Sequence, residues 1–183
     1  MDVTNIALII CAMLLVFLNA FFVAAEFAMV KMRATRVETI KDDHGLKGKI
    51  LYKIHTHLDA YLSACQLGIT LASLGLGWIG EPAFFDVVES ILIFIGVNST
   101  SIVNAVSFAI SFSLISFLHI VVGELMPKSL AIRKAELMSM WTSIPLYAFY
   151  WLMYPAIFIL NSCSNFLLRL IVLEYQPHLK NIL

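Results

Sequence analysis

The stretch IVNAVSFAISFSLISFLHIVVGELMPKSL, residues 102–130, decides the fold class of this chain. No Asp, Glu, Lys or Arg occurs from Ile102 to Gly123, and the run then ends in a carboxylate, Glu124, followed by Pro127. About 20 apolar residues in a helix are enough to cross the ~30 Å hydrocarbon core of a bilayer. The stretch therefore predicts a membrane-spanning helix whose last turn carries a charge and a proline.

The composition of the whole chain also indicates a membrane protein. Of its 183 residues, 61% are hydrophobic and 13% are charged, whereas soluble domains are about half apolar and a quarter charged. Apolar runs cover about residues 6–30, 58–80 and 102–126, and a fourth run covers 141–172. The sequence predicts an all-α membrane protein with three spans and shorter juxtamembrane helices, forming a single transmembrane domain over residues 1–183 in contact with the lipid bilayer.

Lysine and arginine are distributed unevenly along the chain. Seven of the twelve lie at residues 31–53, three more lie at 128–134, and residues 81–101 carry none. Because loops rich in Lys and Arg stay in the cytosol, residues 31–57 and 128–136 are predicted to be cytosolic and the N-terminus to lie outside. The localisation that follows is a multi-pass protein of the plasma or inner membrane. The net charge is zero, which provides no basic field for binding nucleic acid.

The fourth apolar run, 141–172, has two interpretations. It is long enough to span, but Pro145 and Pro155 interrupt it, and it is rich in Trp and Tyr, which favour the membrane interface. It is therefore either a fourth span or a kinked helix that lies at the interface. Residues 32–45 predict a short cytosolic helix stopped by its final glycine, and residues 83–95 predict a short outer helix.

Polar side chains on the second predicted span share one helical face. They are spaced three or four residues apart, and small residues run beside them. The polar residues Ser63, Gln66, Thr70 and Ser73 share this face with Gly77, and the small residues beside them are Gly68, Ala72 and Gly75. The pattern is typical of a seam between packed helices. It is also what the wall of a polar pathway requires, and the spacing leaves both interpretations open.

Other polar residues inside the predicted spans include Asn19 and Glu26 in the first and His119 in the third. Charged and amide side chains are costly in a bilayer, so each is a candidate for function. Glu26 lies close to Lys31 in the sequence, and we interpret it as a carboxylate that reaches the interface or forms an ion pair. His119, one turn before Gly123, is interpreted as a hydrogen-bonded packing residue beside a site and not as a ligand.

The end of the opening stretch has the chemistry of an ion site. Pro127 has no N–H, so a regular helix would leave the carbonyl of Gly123 without its partner, at a depth where water cannot readily replace it. That carbonyl and the adjacent Glu124 are hard oxygen ligands, which suit Mg²⁺ or Ca²⁺ and also Na⁺. The alternative is a helix that stops at the membrane edge, with Glu124 paired to Lys128. From these residues alone both interpretations stay open.

Three motifs of the chain resemble the transmembrane domain of the CorC/cyclin M (CNNM) magnesium transporters, also called hemolysin-C-like proteins. GELMPKSLA is similar to the G-E-x-x-P-K signature of that family, and LNAFFVAAEFAMVKMR and CQLGITLASLGLGWIGEPA resemble its first two spans. The resemblance implies a homodimer with three membrane helices per subunit and a kinked, belt-like helix at the cytosolic interface. It also implies a pair of cytosolic CBS modules, which are absent from these 183 residues.

The resemblance implies a cation transporter that exports Mg²⁺ from the cytosol, with Na⁺ as the candidate coupling ion. The implied ligands are Glu124 and the Gly123 carbonyl, which the helix break at Pro127 makes accessible. The candidate supporting polar residues are Asn19, Ser63, Gln66, Thr70 and His119.

The chain departs from the family pattern at two positions. It has Ile69 where the family has an asparagine, and Ala25 stands near an expected serine. These losses keep a second hypothesis open, a non-transporting Mg²⁺ sensor or scaffold that signals to cytosolic domains. An enzyme is not expected, because the spans carry no nucleophile–base pair and no zinc-type histidine cluster.

Overall fold

The computed structural model describes residues 3–97 and 99–179, and the side chains up to residue 170. Within those ranges the chain is helical, with no strand. The helices are α1 Val3–Lys31, α2 Ala34–Asp43, α3 Gly45–Thr56, α4 Leu58–Phe94, α5 Thr100–Leu118, α6 Met126–Arg133, α7 Ala135–Leu152 and α8 Tyr154–Leu179, and a π-helical turn, His119–Leu125, joins α5 to α6.

Three helices are long and apolar enough to cross a membrane: α1, α4 and the continuous unit Thr100–Arg133 that comprises α5, the π turn and α6. The three predicted spans are thereby confirmed. The fourth apolar run forms α7 and α8, whose axes are bent by 77° relative to each other. These two helices are long and apolar enough to cross a membrane only when taken together. By length and composition, the described chain therefore has three spans, or up to four. The bend lies at Met153, two residues before Pro155, which is the second residue of α8 and lies in the first turn, where a proline is tolerated.

Two boundaries differ from the sequence prediction. The prediction of a separate outer helix at residues 83–95 is wrong, because α4 continues through Pro82 to Phe94. Ala83 is buried in an apolar cluster with residues of α1 and α5, which holds this part of the helix in place. The short cytosolic helix ends at Asp43, and Gly45 begins a further helix, α3, that was not predicted. Gly45 has φ +55°, a left-handed conformation that glycine adopts without strain.

The largest core lies at the end of the bundle where α1 finishes at Lys31, called here the basic end. Phe22 and Met29 of α1 pack there with Ile40 of α2, Leu51 of α3 and Leu146 of α7, all of them buried. The short helices are therefore held against the spans by apolar packing, which is the main source of helix stability in proteins. A Cβ on Gly68 of α4 would lie 2.5 Å from the Phe22 ring, so the small residues of α4 do form a close-packed seam with α1.

A smaller core lies at the opposite end, called here the acidic end because Glu81 and Glu89 lie there on α4. It joins α1, α4 and α5 through Ala12, Val16, Leu76, Ala83 and Ile115. Many large apolar side chains elsewhere are exposed, including Trp78 and Phe117. An exposed apolar belt is what a helix in lipid presents, because lipid tails are as apolar as the side chains.

Polar contacts join the short helices at the basic end. Arg36 of α2 donates two hydrogen bonds to the carboxylate of Glu136 on α7, at 2.9 Å and 2.8 Å. Lys53 of α3 donates to the hydroxyl of Tyr147 on α7 at 3.0 Å. The bonds from Arg36 hold the pKa of the Glu136 carboxyl below its ordinary value. These contacts fix α2 and α3 against α7 at the surface of the domain.

Candidate cation site

The carbonyl of Gly123 has a partner from another helix. Asn19 of α1 is 1% exposed, and its side-chain Nδ2 donates a 2.9 Å hydrogen bond to the Gly123 oxygen, across 104 residues of sequence. The expectation of an unpartnered carbonyl is therefore corrected. A buried carbonyl without a donor is costly, and the amide of Asn19 supplies that donor.

The expected helix break at Pro127 is also corrected. The chain stays helical, and the irregularity is the π turn, where the N–H of Met126 bonds the carbonyl of Val121, five residues back. Pro127 itself is buried in the first turn of α6, and because it has no N–H, the Gly123 carbonyl takes its hydrogen bond from Asn19. Single π-helical turns inside α-helices occur frequently at functional sites.

A small hydrogen-bonded network surrounds Gly123. Ser73 of α4 donates to Asn19 Oδ1 at 3.3 Å, and its hydroxyl lies 3.4 Å from His119 Nε2. A Cβ on Gly123 would lie 3.0 Å from His119 Cδ2 and 3.3 Å from Asn19 Nδ2. The three membrane helices therefore meet at this network, and a glycine at position 123 is what lets them approach.

A pocket of about 160 Å³ opens beside this network, toward the basic end, and is called here the carboxylate pocket. Its lining includes two carboxylates, Glu26 of α1 and Glu124 of the π turn, together with the ammonium group of Lys128. The complete lining is Asn19, Val23, Glu26, Phe27, Ile69, Ser73, His119, Glu124 and Lys128.

Lys128 is not paired with Glu124. Its Nζ lies 4.4 Å from the centroid of the Phe27 ring, and among the side chains that the structure describes, Arg36 with Glu136 is the one ion pair within 4.0 Å. The alternative interpretation of Glu124, a simple helix-end pair with Lys128, is therefore not what the structure contains.

The predicted site residues fall into two groups. Glu124, Gly123, Asn19 and His119 lie together around the carboxylate pocket. The other three candidates, Ser63, Gln66 and Thr70, line a separate groove of about 450 Å³ between α4 and α8, called here the amide groove; its lining is Ser63, Gln66, Leu67, Thr70, Ile157, Leu160, Asn161 and Ser164.

The hydroxyls of the amide groove bond within their own helix. Ser63 donates to the Asp59 carbonyl at 3.0 Å and Thr70 to the Gln66 carbonyl at 2.8 Å. Ser73 is the member of the predicted polar stripe that reaches the carboxylate pocket through its side-chain bonds. The two residues that depart from the family pattern lie in different places. Ile69 lines the carboxylate pocket, whereas Ala25 is fully buried in the core at the basic end.

Glu26 is the pocket carboxylate that sequence reasoning assigned no part in the site. A signal for Glu26 exists in the sequence, because it follows Asn19 by seven residues, which is two helical turns on the same face. Within residues 3–97 and 99–179, no group of three or more His, Cys, Asp or Glu side chains could hold a metal ion. Any cation in this pocket therefore has at most two charged ligands from the described chain, with neutral oxygens or water as the others.

These features define a class: an all-α membrane domain whose three long helices converge on a buried polar network beside two carboxylates. The family profile described as "Cyclin M transmembrane N-terminal domain" matches residues 10–181. The chain belongs to this cyclin M (CNNM) transmembrane domain family.

Similar proteins occur in Bacillus subtilis (strain 168). UPF0053 protein YrkA is 44% identical over 172 residues, which are 93% of this chain and 39% of YrkA. UPF0053 protein YhdP is 41% identical over 174 residues, 95% of this chain and 38% of YhdP. UPF0053 protein YhdT is 46% identical over 153 residues, 84% of this chain and 33% of YhdT. The chain thus spans well under half of the length of these relatives.

Proposed function

We propose that this domain carries Mg²⁺ across the membrane, and that it exports the ion from the cytosol. The observation that carries the proposal is the carboxylate pocket, in which Glu26 and Glu124 lie beside the Asn19–Gly123 hydrogen bond. Carboxylates inside a membrane domain are costly and mark ion pathways by default. Membership of the cyclin M family is consistent with a role in divalent cation transport.

The ligand chemistry suits a hard cation. Glu124 and Glu26 supply negative charge, and the Asn19 amide oxygen, the Gly123 carbonyl and the Ser73 hydroxyl supply neutral oxygens nearby. Mg²⁺ prefers six oxygen ligands and gives up its waters reluctantly. A pocket of about 160 Å³ has room for several waters, since one water needs roughly 10–15 Å³. We therefore propose that the ion binds partly hydrated, with Glu124 as its principal ligand.

The proposed direction of transport is based on the charge pattern. The carboxylate pocket lies toward the basic end of the bundle, which the positive-inside rule assigns to the cytosol, so the ion enters from that side. This orientation leaves the N-terminus outside, in a plasma or inner membrane. Coupling to Na⁺ is part of the proposal, because Na⁺ also binds carboxylate and carbonyl oxygens.

We also propose that two copies of the chain pair through the membrane. The amide groove exposes the side-chain amide of Gln66 on α4 beside α8, and an amide facing lipid is unfavourable unless another helix covers it. A cysteine at position 66, in a background without the native cysteines, is expected to form disulfide-linked dimers in native membranes. A cysteine at the exposed Trp78 position serves as the comparison, and equal cross-linking at both positions would contradict this interface.

A membrane Mg²⁺ sensor is the second candidate. It is favoured by Ile69, which lines the carboxylate pocket at the position where the family resemblance implies an asparagine ligand. With one fewer oxygen ligand, the pocket replaces less of the hydration shell that Mg²⁺ gives up reluctantly. A hydrated ion would then bind there without crossing and would signal to cytosolic domains.

Mg²⁺ flux into proteoliposomes tests the two candidates. The full-length protein is reconstituted as wild type, Glu124→Gln, Glu26→Gln and, as a matched control, Glu38→Gln, whose carboxylate is exposed on α2. The expected result is flux for the wild type and Glu38→Gln, none for Glu124→Gln, and reduced flux for Glu26→Gln. Flux unaffected by Glu124→Gln would refute the site, and Mg²⁺ binding without flux in the wild type would favour the sensor.

A further inference from the structure

The carboxylate pocket has a neighbour on its other side. A second pocket of about 110 Å³, called here the outer pocket, lies between α4 and α5 toward the acidic end; its lining is Ser73, Leu76, Gly77, Glu81, Phe112, Ile115, Ser116 and His119. Two residues, Ser73 and His119, line both pockets. These two side chains therefore form the partition between them.

The two shared side chains are held by long contacts. Ser73 Oγ lies 3.4 Å from His119 Nε2 and 3.3 Å from Asn19 Oδ1. Hydrogen bonds are usually about 2.5–3.0 Å long between two oxygens and about 2.7–3.2 Å long between a nitrogen and an oxygen, so both contacts are long and easily separated. His119 is also the first residue of the π turn, so a change in that turn would move its ring.

The outer pocket has a composition that suits a cation on its way out. The carboxylate of Glu81 and the hydroxyl of Ser116 line it, and Glu81 lies eight residues beyond Ser73 on α4, about 12 Å along the helix. Its volume also exceeds the roughly 10–15 Å³ that one water needs. The outer pocket has one carboxylate, Glu81, whereas the carboxylate pocket has two. The outer pocket therefore attracts a cation but holds it less tightly.

We propose that the outer pocket is the exit path of the transported cation and that the Ser73–His119 contact is its gate. This inference rests on the proposed function for the identity of the ion. In the conformation described, the gate is closed, and the ion site communicates with the basic end. Separation of Ser73 from His119 would join the two pockets and open a route past Glu81.

Cysteine accessibility tests the gate without requiring transport. In full-length protein with Cys11, Cys65 and Cys163 replaced by alanine, Ile69→Cys reports on the carboxylate pocket and Ser116→Cys on the outer pocket, since each lines only one of them. The probe is the membrane-impermeant cation 2-(trimethylammonium)ethyl methanethiosulfonate, applied to right-side-out or inside-out vesicles. The expected labelling is from the cytosolic side for Ile69→Cys and from the outside for Ser116→Cys.

Removal of the partition gives the decisive comparison. With His119→Ala or Ser73→Ala added, outside labelling of Ile69→Cys should rise from background to the level of Ser116→Cys, whereas the exposed-histidine control His57→Ala should leave it at background. Two variants are used so that a folding defect in one, seen by gel filtration, does not decide the result. Outside labelling of Ile69→Cys with the partition intact, or none with the partition removed, would overturn the gate. Absence of Mg²⁺ flux would instead refute the proposed function and leave the labelling result standing.

Discussion

The carboxylate pocket and the amide groove both take polar side chains from α4, yet they differ in charge and in size. The groove is the larger, at about 450 Å³ against 160 Å³, but no charged residue lines it. The pocket is smaller and contains two carboxylates and an ammonium group. A hydroxyl that bonds a carbonyl of its own helix costs little in a membrane, whereas a charged side chain there is costly and indicates a functional site. The difference indicates that charge, and not volume, marks the ion site.

The largest expected effect comes from Gly123→Ala. The new Cβ would lie 3.0 Å from His119 and 3.3 Å from the Asn19 amide, so the Asn19–Gly123 bond and the shape of the pocket would both be disturbed. We expect Mg²⁺ flux to fall to the level of empty liposomes. The control is Gly75→Ala, whose Cβ meets only the flexible tip of Leu15 at 3.3 Å. Equal flux in the two variants would argue against the Gly123 network as part of the site.

Ile69→Asn should strengthen the carboxylate pocket. Its side chain lines the pocket, so an amide oxygen there adds a neutral ligand beside Glu124. We expect Mg²⁺ to bind about tenfold more tightly, which corresponds to about 1.4 kcal/mol, as measured by isothermal titration calorimetry. Ile69→Val, which adds no oxygen, should bind as the wild type does. An Ile69→Asn variant that binds no better than Ile69→Val would place the ion elsewhere.

Thr70→Val tests the amide groove directly. The hydroxyl of Thr70 bonds the Gln66 carbonyl of its own helix, and its removal should change Mg²⁺ flux by less than about twofold, within the small effect of one intrahelical hydrogen bond. Ser73→Ala, the equivalent removal in the carboxylate pocket network, provides the contrast and should alter flux more. A collapse of flux in Thr70→Val alone would move the ion path into the groove.

The smallest effect is expected at the surface pair of Arg36 and Glu136. The pKa of the Glu136 carboxyl lies below its ordinary value of 4.5 because Arg36 donates hydrogen bonds to it. A carboxyl with a depressed pKa stabilises the fold above its unfolded-state pKa, and this contribution is lost as the pH falls through the folded-state value.

Thermal unfolding at two pH values checks this pair. Glu136→Gln should lower the melting temperature slightly at pH 7 and not at a pH below the folded-state pKa of the carboxyl, where it is protonated in both states. The comparison variant is Glu38→Gln, an exposed carboxylate on α2. A difference between wild type and Glu136→Gln that persists in acid would show that packing, and not the ion pair, is responsible.

The spans and the core of the site could be predicted because their signals are local. Apolar runs predict α1, α4 and the α5–α6 unit, and the adjacent glutamate, proline and glycine predict an oxygen site at Gly123. Continuation of α4 through Pro82 was not predictable, since it depends on the burial of Ala83 against other helices. The donor to the Gly123 carbonyl lies 104 residues away, so only the tertiary structure reveals it.

The positions of the polar residues on α4 also depend on tertiary structure that the sequence does not reveal. Ser63, Gln66, Thr70 and Ser73 share a face by spacing, but spacing does not say which neighbouring helix each side chain meets. Over ten residues at 100° each, the face rotates by about 80°, which is enough to direct Ser63 toward α8 and Ser73 toward α1. Glu26 was assigned to the interface because of the nearby Lys31, whereas the packing of the helices places it in the pocket with Glu124.

The most direct test is anomalous scattering from Mn²⁺, which shares the oxygen ligands of Mg²⁺, bound to crystals of the full-length protein. The prediction is an anomalous peak inside the carboxylate pocket, next to Glu124 and within reach of Glu26, which disappears in Glu124→Gln crystals. A peak in the amide groove, or one that persists unchanged in Glu124→Gln, would contradict the central claim that the two carboxylates hold the ion.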